Sequence, residues 1–388
     1  MSRSSFDGPF RMPYHSWTKH GCCPRCYPRC CSRIIQHEAL YPPSGARADS
    51  IMLTIKCSGT PYEIGRQHGS SAQLQIQRCL AFYAGMFQKA SAMDWDEVRC
   101  VAQTFETKVK RKWPHYLEEM KGVADGAGVS LLDILALNVR TEIAFGRWTD
   151  GCTSLSWQTE KHSFLAQNWD WEISQQENLI VLEIRQLDKP TIQMVTEAGM
   201  VGKIGFNSAG VGVCMNAIRT KGVDLDRLPV HLGMRMVLEN STARDALESL
   251  KQSGLLAGPV HLLISDAHES YGCEYTSTTH ATLPPDSRGR VIHSNHLLMS
   301  HPGVVDTVWL SDSPFRVERM RELTDAVEDP SWTDVHSFFT DRKNAPAAIC
   351  RVGDNSTLFN IIMDLKRREA VVRLGFPDAP VERLELKL

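Results

Sequence analysis

The sequence predicts a layered α+β fold, and three observations predict it. From Met52 the first third of the chain reads almost entirely as helix, and from Cys152 the apolar period drops toward two through consecutive strands. After two more helices, a second bank of strands follows. Helices gathered apart from strands, instead of alternating with them, point away from βαβ units.

Taken in order, "MLTIKCSGTPYEIGRQHG" gives a short strand, a Gly-Thr-Pro turn and the start of a helix that the pattern carries to about Lys89. Helical patterns recur near 95–112, 114–126 and 130–146, the last with Ser130 as N-cap and an apolar face of Leu131, Ile134, Leu135 and Val139. Strands follow in "CTSLSW", "SFLAQNW", "NLIVLEIRQ", "TIQMVTEA" and "VGVCMNA". Helices return at 229–239 and 242–252, then strands at "PVHLLIS", "YGCEYT" and "GRVIHSN". A helical stretch over 313–340 precedes the closing strands "TLFNIIMDL", "EAVVRLGF" and "VERLELKL". The 388 residues, 42% hydrophobic, suffice for a large buried core.

Residues 1–51 differ in texture. They are rich in Ser, Pro, Gly and Arg without apolar periodicity, as expected of a disordered extension, and Met52 is a candidate start. Five of the twelve cysteines crowd into "GCCPRCYPRCC"; a zinc knuckle on Cys23 and Cys26 is the alternative there, although the ligand pairs would stand closer than zinc sites usually place them. The domain reading is therefore 1–51 as extension and 52–388 as one folded domain.

Balanced charge, 43 Lys and Arg against 45 Asp and Glu, argues against nucleic acid and anionic membranes as partners. No run of about eighteen apolar residues suggests a membrane span. The chain lacks a secretion-signal pattern, and singly scattered cysteines suit a reducing compartment, so a cytoplasmic location is expected. The terminal "LKL" is a poor form of a peroxisomal address, which makes the peroxisome the second choice.

The chemistry gathers at "DGCTS". If the Gly151–Cys152 bond opened, Cys152 would carry both a thiol and an α-amine, the latter with a pKa of about 7.7–8.0, a built-in general base for acyl transfer. The thiol can open that bond itself by attacking the Gly151 carbonyl, where glycine offers no Cβ to obstruct it. Partners for the amine and for an oxyanion are sought on nearby strands. Asn168, Trp169 and Asp170 lie on the strand expected to pair with that of Cys152; Asn295 stands at a strand end between His293 and His296; "AAICRVG" supplies Arg351. The plainer readings are a buried structural thiol, a turn aspartate, a backbone-bonding asparagine, a surface ion pair, and histidines facing solvent.

"GTPYEIGRQHG", "LNVRTEIAFG", "DGCTS", "QNWDW", "ENLIVLEIRQ", "PTIQMVTEAGMVGKIGFNSAGVGV", "HSNHLL", "ICR", "TLFNIIMD" and "REAVVRLG" together resemble the fungal acyl-coenzyme A:6-aminopenicillanic acid acyltransferase (isopenicillin N acyltransferase) family of N-terminal nucleophile hydrolases. The resemblance implies a four-layer αββα sandwich. It also implies self-cleavage between Gly151 and Cys152 into an α and a β chain that stay together as a heterodimer, with Cys152 as nucleophile. Asp170 would hold the cysteine amine, Asn295 would donate to the oxyanion hole, and Arg351 would organise the site or meet a substrate carboxylate. Acyl-coenzyme A is implied as acyl donor, with no bound cofactor or metal; "GKIGFNSAG" is not a P-loop. Two departures, Ser154 where the family often has threonine and the absence of a Gly-x-Ser-x-Gly-like region after Arg351, bear on the β-lactam substrate more than on the cysteine chemistry.

The expectation is a self-processing cysteine N-acyltransferase or amidase forming a thioester on Cys152. Its alternatives are an amidohydrolase of the same fold acting without coenzyme A, and a non-catalytic binding protein on the same scaffold.

Overall fold

β1 (Leu53–Ser58) leads into α1 (Pro61–Ser71), whose start is written in the sequence: Thr60 and Glu63 form a reciprocal capping box and Pro61 occupies the first turn. The computed structural model describes residues 52–144, 151–305 and 310–388. The extension, with Cys23 and Cys26, lies outside the described residues. Helices α2 (Gln73–Ser91), α3 (Trp95–Lys112), α4 (Pro114–Ala127), α5 (Leu131–Asn138) and α6 (Arg140–Ala144) complete the first third. Where one long helix was expected after Thr60, the chain breaks at Ala72, whose φ of −116° and ψ of 27° are not helical. The break lets α1 lie flush on α4. Gly65 and Gly69 face Gly122 and Gly126, and a Cβ on any of the four would fall on the other helix's backbone.

Then come β2 (Gly151–Gln158), β3 (Ser163–Glu172), β4 (Leu179–Arg185), β5 (Ile192–Glu197), β6 (Ile204–Asn207) and β7 (Gly212–Ala217). Helices α7 (Val230–Leu238) and α8 (Ala243–Gln252) precede β8 (Val260–Ser265), β9 (Ser270–Tyr275), β10 (His280–Leu283) and β11 (Arg290–His293). The expected helix over 313–340 is two, α9 (Ser313–Asp325) and α10 (Trp332–Phe339); Pro330 separates them and Ser331 caps the second. β12 (Asn355–Asp364), β13 (Glu369–Phe376) and β14 (Ala379–Lys387) end the chain.

The strands form two sheets, in the orders β1-β4-β5-β6-β7-β8-β9-β10 and β11-β2-β3-β12-β13-β14. Their inner faces meet. Ser154 of β2 donates to Asn216 Oδ1 of β7 at 2.7 Å, and Gln167 of β3 accepts the Met215 N–H at 2.9 Å. Outside the first sheet lie α7 and α8. Outside the second, α9 and α10 close a separate core in which Leu155, Trp157, Phe164 and Ala166 meet Val317, Met320, Val335 and Phe338. Strands buried on both faces explain why β2 to β5 are apolar beyond simple alternation. The result is four layers, αββα.

Candidate active site

Gly151 and Cys152 are the first residues of β2, in the second sheet. The β2–β3 register sets Gly151 opposite Asp170 and Cys152 opposite Trp169, so the pairing expected from the sequence is present. Alternation along β2 sends the two residues to opposite faces. Cys152 points inward with Trp169, fully buried, while Asp170 joins the charged groups under α9.

β11 pairs with β2 only as far as His293 opposite Ser154. Continued by two residues, that register would bring Asn295 opposite Cys152, and here side chains replace the missing strand. Asn295 Oδ1 accepts the Cys152 N–H at 2.9 Å, and Arg316 Nη1 donates to the Cys152 carbonyl at 2.6 Å. Arg316 also donates to Thr153 Oγ1 at 3.0 Å, Asn295 Oδ1 at 2.8 Å and Asp312 Oδ2 at 2.7 Å. Two donors converge on the Asn295 oxygen, which fixes the orientation of its amide. Its Nδ2 therefore turns the other way and donates to the Ala217 carbonyl at 3.1 Å. The contacts thus differ from the expected division of roles: the asparagine oxygen holds the cysteine nitrogen, the task assigned to Asp170, and the asparagine donor is occupied by main chain.

Asp170 and Arg351 flank Gly151 instead. A Cβ added to Gly151 would stand 2.9 Å from Asp170 Oδ2 and 2.9 Å from Arg351 Nε, so glycine is needed here for space. Those two atoms face each other at 3.6 Å, and neither has a hydrogen-bond partner among the described residues. Asp170 Oδ1 accepts from Thr357 Oγ1 at 2.7 Å, beside a register shift in β12, while Arg351 pairs with Asp312. Burial pushes the Asp170 carboxyl up to about 7, against the opposing pull of Arg351, Arg316 and the Thr357 hydrogen bond.

The strand-end histidines do not face solvent as the plain reading had it. His293 is fully buried, with Nε2 on Glu274 at 2.8 Å and Nδ1 on the Ser294 carbonyl at 2.8 Å. His296 contacts Ser313 Oγ at 2.7 Å, and burial followed by the charges of His293 and Arg316 lowers it to about 4. Asn168 is structural, its amide bridging the Phe339 and Ile349 carbonyls. Among the described residues no group of three or more His, Cys, Asp or Glu could hold a metal, and no helix is long and apolar enough to cross a membrane.

Sequence reasoning missed Arg316 and a second group on the inner face. Lys203, fully buried just before β6, lies 3.5 Å over the Trp169 ring and pairs with Glu197. Both had a signal. Arg316 shares a helical stripe with Ser313, Val317, Met320 and Thr324, all buried, and Lys203 interrupts the apolar run "GMVGKIGF".

Two sheets between outer helices give four layers in αββα order, the sandwich that the sequence resemblance implied. The family profile for acyl-coenzyme A:6-aminopenicillanic acid acyl-transferase matches residues 157–379, a span that holds Asp170, Asn295, Arg316 and Arg351 and begins past Cys152. The acyl-coenzyme A:6-aminopenicillanic-acid-acyltransferase 40 kDa form of Emericella nidulans is 38% identical over 339 residues, covering 85% of this chain and 95% of that protein. The chain belongs to this acyltransferase family. Acid ceramidase of Heterocephalus glaber is 24% identical over 225 residues, 49% of this chain and 56% of that protein. Among solved structures, penicillin V acylase from Agrobacterium tumefaciens aligns with a TM-score of 0.43 at 14% identity, over 61% of this chain and 86% of that one. A conjugated bile acid hydrolase variant from Clostridium perfringens gives 0.44 at 14%, over 61% and 97%.

Proposed function

We propose that the protein is a self-processing cysteine N-acyltransferase with Cys152 as its nucleophile. The observation that carries this reading is the way the Gly151–Cys152 junction is held. The nitrogen and carbonyl of Cys152 are gripped by Asn295 and Arg316, while Gly151 is wedged between Asp170 and Arg351 with no room for a side chain.

In the first step the Cys152 sulfur attacks the Gly151 carbonyl carbon, the amide becomes a thioester, and the thiol proton passes to the Cys152 nitrogen. Water then hydrolyses the thioester, leaving a carboxylate on Gly151 and a free amine and thiol on Cys152. Asp170, buried and poised to exchange a proton near neutrality, sits beside Gly151, the residue whose carbonyl is attacked. Arg351 and Asp170 each have one atom left to engage the oxygen or nitrogen that changes charge.

Once cleaved, the same grip serves turnover. Asn295 Oδ1 keeps one N–H of the new amine, which leaves its lone pair to take the thiol proton. The thiolate attacks the acyl donor, a thioester forms on Cys152, and an amine takes the acyl group. Acyl-coenzyme A as donor, and an amine of the 6-aminopenicillanic acid kind as acceptor, come to this chain from its family and from the Emericella nidulans relative's name. Cys152 is fully buried in the intact chain.

Incubation with an acyl-coenzyme A, followed by peptide mass measurement, tests this. The expected result is one acyl group on the peptide that begins with Cys152, removed by hydroxylamine. Active protein acylated at another residue would contradict the reading.

A further inference from the structure

On the inner face, away from Asp170 and Arg351, stands a second set of charges that the chemistry above does not use. Glu197, at the end of β5, is fully buried. Its carboxylate receives Lys203 Nζ and, at 2.6 Å, Arg140 Nη2 of α6; Tyr83 of α2 and Gln175 donate to its other oxygen, Gln175 at 2.9 Å. Among the described residues this carboxylate thus meets two cations, Arg140 and Lys203, in a fully buried setting.

We propose that Lys203, held by Glu197 over the Trp169 ring, is the cation that stabilises the Cys152 thiolate. The placement follows from the ladder. Trp169 is the cross-strand partner of Cys152 on the inward face, and Lys203 lies on that ring at 3.5 Å. The inference rests on the reading of Cys152 as nucleophile and extends it, naming what holds the sulfur's charge on the side opposite the amine.

The surrounding groups agree. Besides Glu197 and Arg140, the titratable neighbours are Tyr83 and Cys79 of α2, His231 of α7, Cys214 of β7 and Glu142 of α6. Burial pushes the Tyr83 phenol and the Cys79 and Cys214 thiols well up, so they stay neutral. It pushes the His231 imidazole well down, so that ring adds no cation. The Glu142 carboxyl is raised to about 7 by burial and accepts the Val230 N–H at 2.7 Å. Burial lowers Lys203 to about 8, while the charges of Glu197 and Cys152 hold it up. Glu197 stays ionised because Arg140 and Lys203 outweigh its burial.

The experiment measures the rate at which iodoacetamide alkylates Cys152, read by peptide mass across pH, in the wild type, Lys203→Gln and Lys203→Arg. Removing the cation destabilises the thiolate, so the inflection in Lys203→Gln moves up by about one pH unit or more. Arginine keeps the charge, so Lys203→Arg stays with the wild type. A folded Lys203→Gln protein that titrates with the wild type overturns the proposal. If the glutamine variant does not fold, the arginine variant decides: an inflection at the wild-type position supports the proposal, and one raised to that of an unperturbed thiol overturns it. Intact mass on the same samples separates the two claims. Uncleaved wild type faults the Gly151–Cys152 reading, whereas cleaved protein with an unmoved inflection faults Lys203 alone.

Discussion

Asp170 is buried with one carboxylate oxygen on Thr357 and the other, which has no hydrogen-bond partner among the described residues, between Gly151 and Arg351, and burial raises its pKa to about 7. A carboxyl whose folded pKa lies above its unfolded value binds more protons when folded, so stability falls as pH rises from the ordinary carboxylate range to about 7. Asp170→Asn should remove that fall. We expect its thermal midpoint to exceed the wild type's above neutrality, with the two curves converging in acid, while chain cleavage slows; a variant less stable at every pH would count against this account of the carboxyl. The placing of Asp170 beside the Cys152 strand was legible in the sequence because that pairing is local: two period-two runs joined by a short turn fix which residues oppose each other. Asn295, remote in sequence, was singled out by the family resemblance and not by pairing. The contacts these residues make were not legible. Which oxygen faces the cysteine nitrogen depends on Arg316, which arrives from a helix far along the chain.

That helix is the element on which the site turns. β11 is four residues long, and its early end leaves the Cys152 backbone without a strand on that side. α9 fills the gap with Arg316, anchored through Asp312, which also holds Arg351. One aspartate therefore ties together the arginine on the cysteine carbonyl and the arginine beside Gly151. Arg316→Ala should destabilise the protein by about 3 kcal/mol, since it leaves the buried Cys152 carbonyl without its donor and takes from Asp312 one of its two arginines. Arg316→Lys keeps the charge but cannot match four acceptors at once. It should recover most of the melting temperature while cleaving at about a tenth of the wild-type rate or less, the effect of roughly one lost hydrogen bond in the transition state. Wild-type cleavage in Arg316→Lys would mean the fork is dispensable. The helix itself was readable at 313–340 but its division was not, although Pro330 and Ser331 carry the stop and start signals. An arginine on a buried stripe reads as surface charge until its acceptors are known.

At the scale of the molecule, the point of interest is that the Gly151–Cys152 bond does not divide two independent cores. β1, from before the bond, pairs in parallel with β4, from after it, from Leu53 opposite Ile180 to Ser58 opposite Arg185. One apolar cluster runs from Ile76, Phe87 and Leu135 in the helices through Cys152 and Trp169 to both sheets. Buried charges cross as well: Arg235 of α7 meets Glu119 of α4 at 2.8 Å, and Arg140 meets Glu197. The layered α+β class was legible because helices and strands cluster separately in the sequence. The sheet order was not, since β1 and β11 join strands remote in sequence. Cleavage should therefore yield two chains that elute together in native buffer and part only in denaturant.

The most direct measurement is the N-terminal sequence and mass of every chain in purified, active protein. The account predicts a second chain beginning Cys152-Thr153-Ser154-Leu155 and a partner ending at Gly151, with Cys152→Ala remaining one chain. A single uncut polypeptide with full acyl-transfer activity would contradict it.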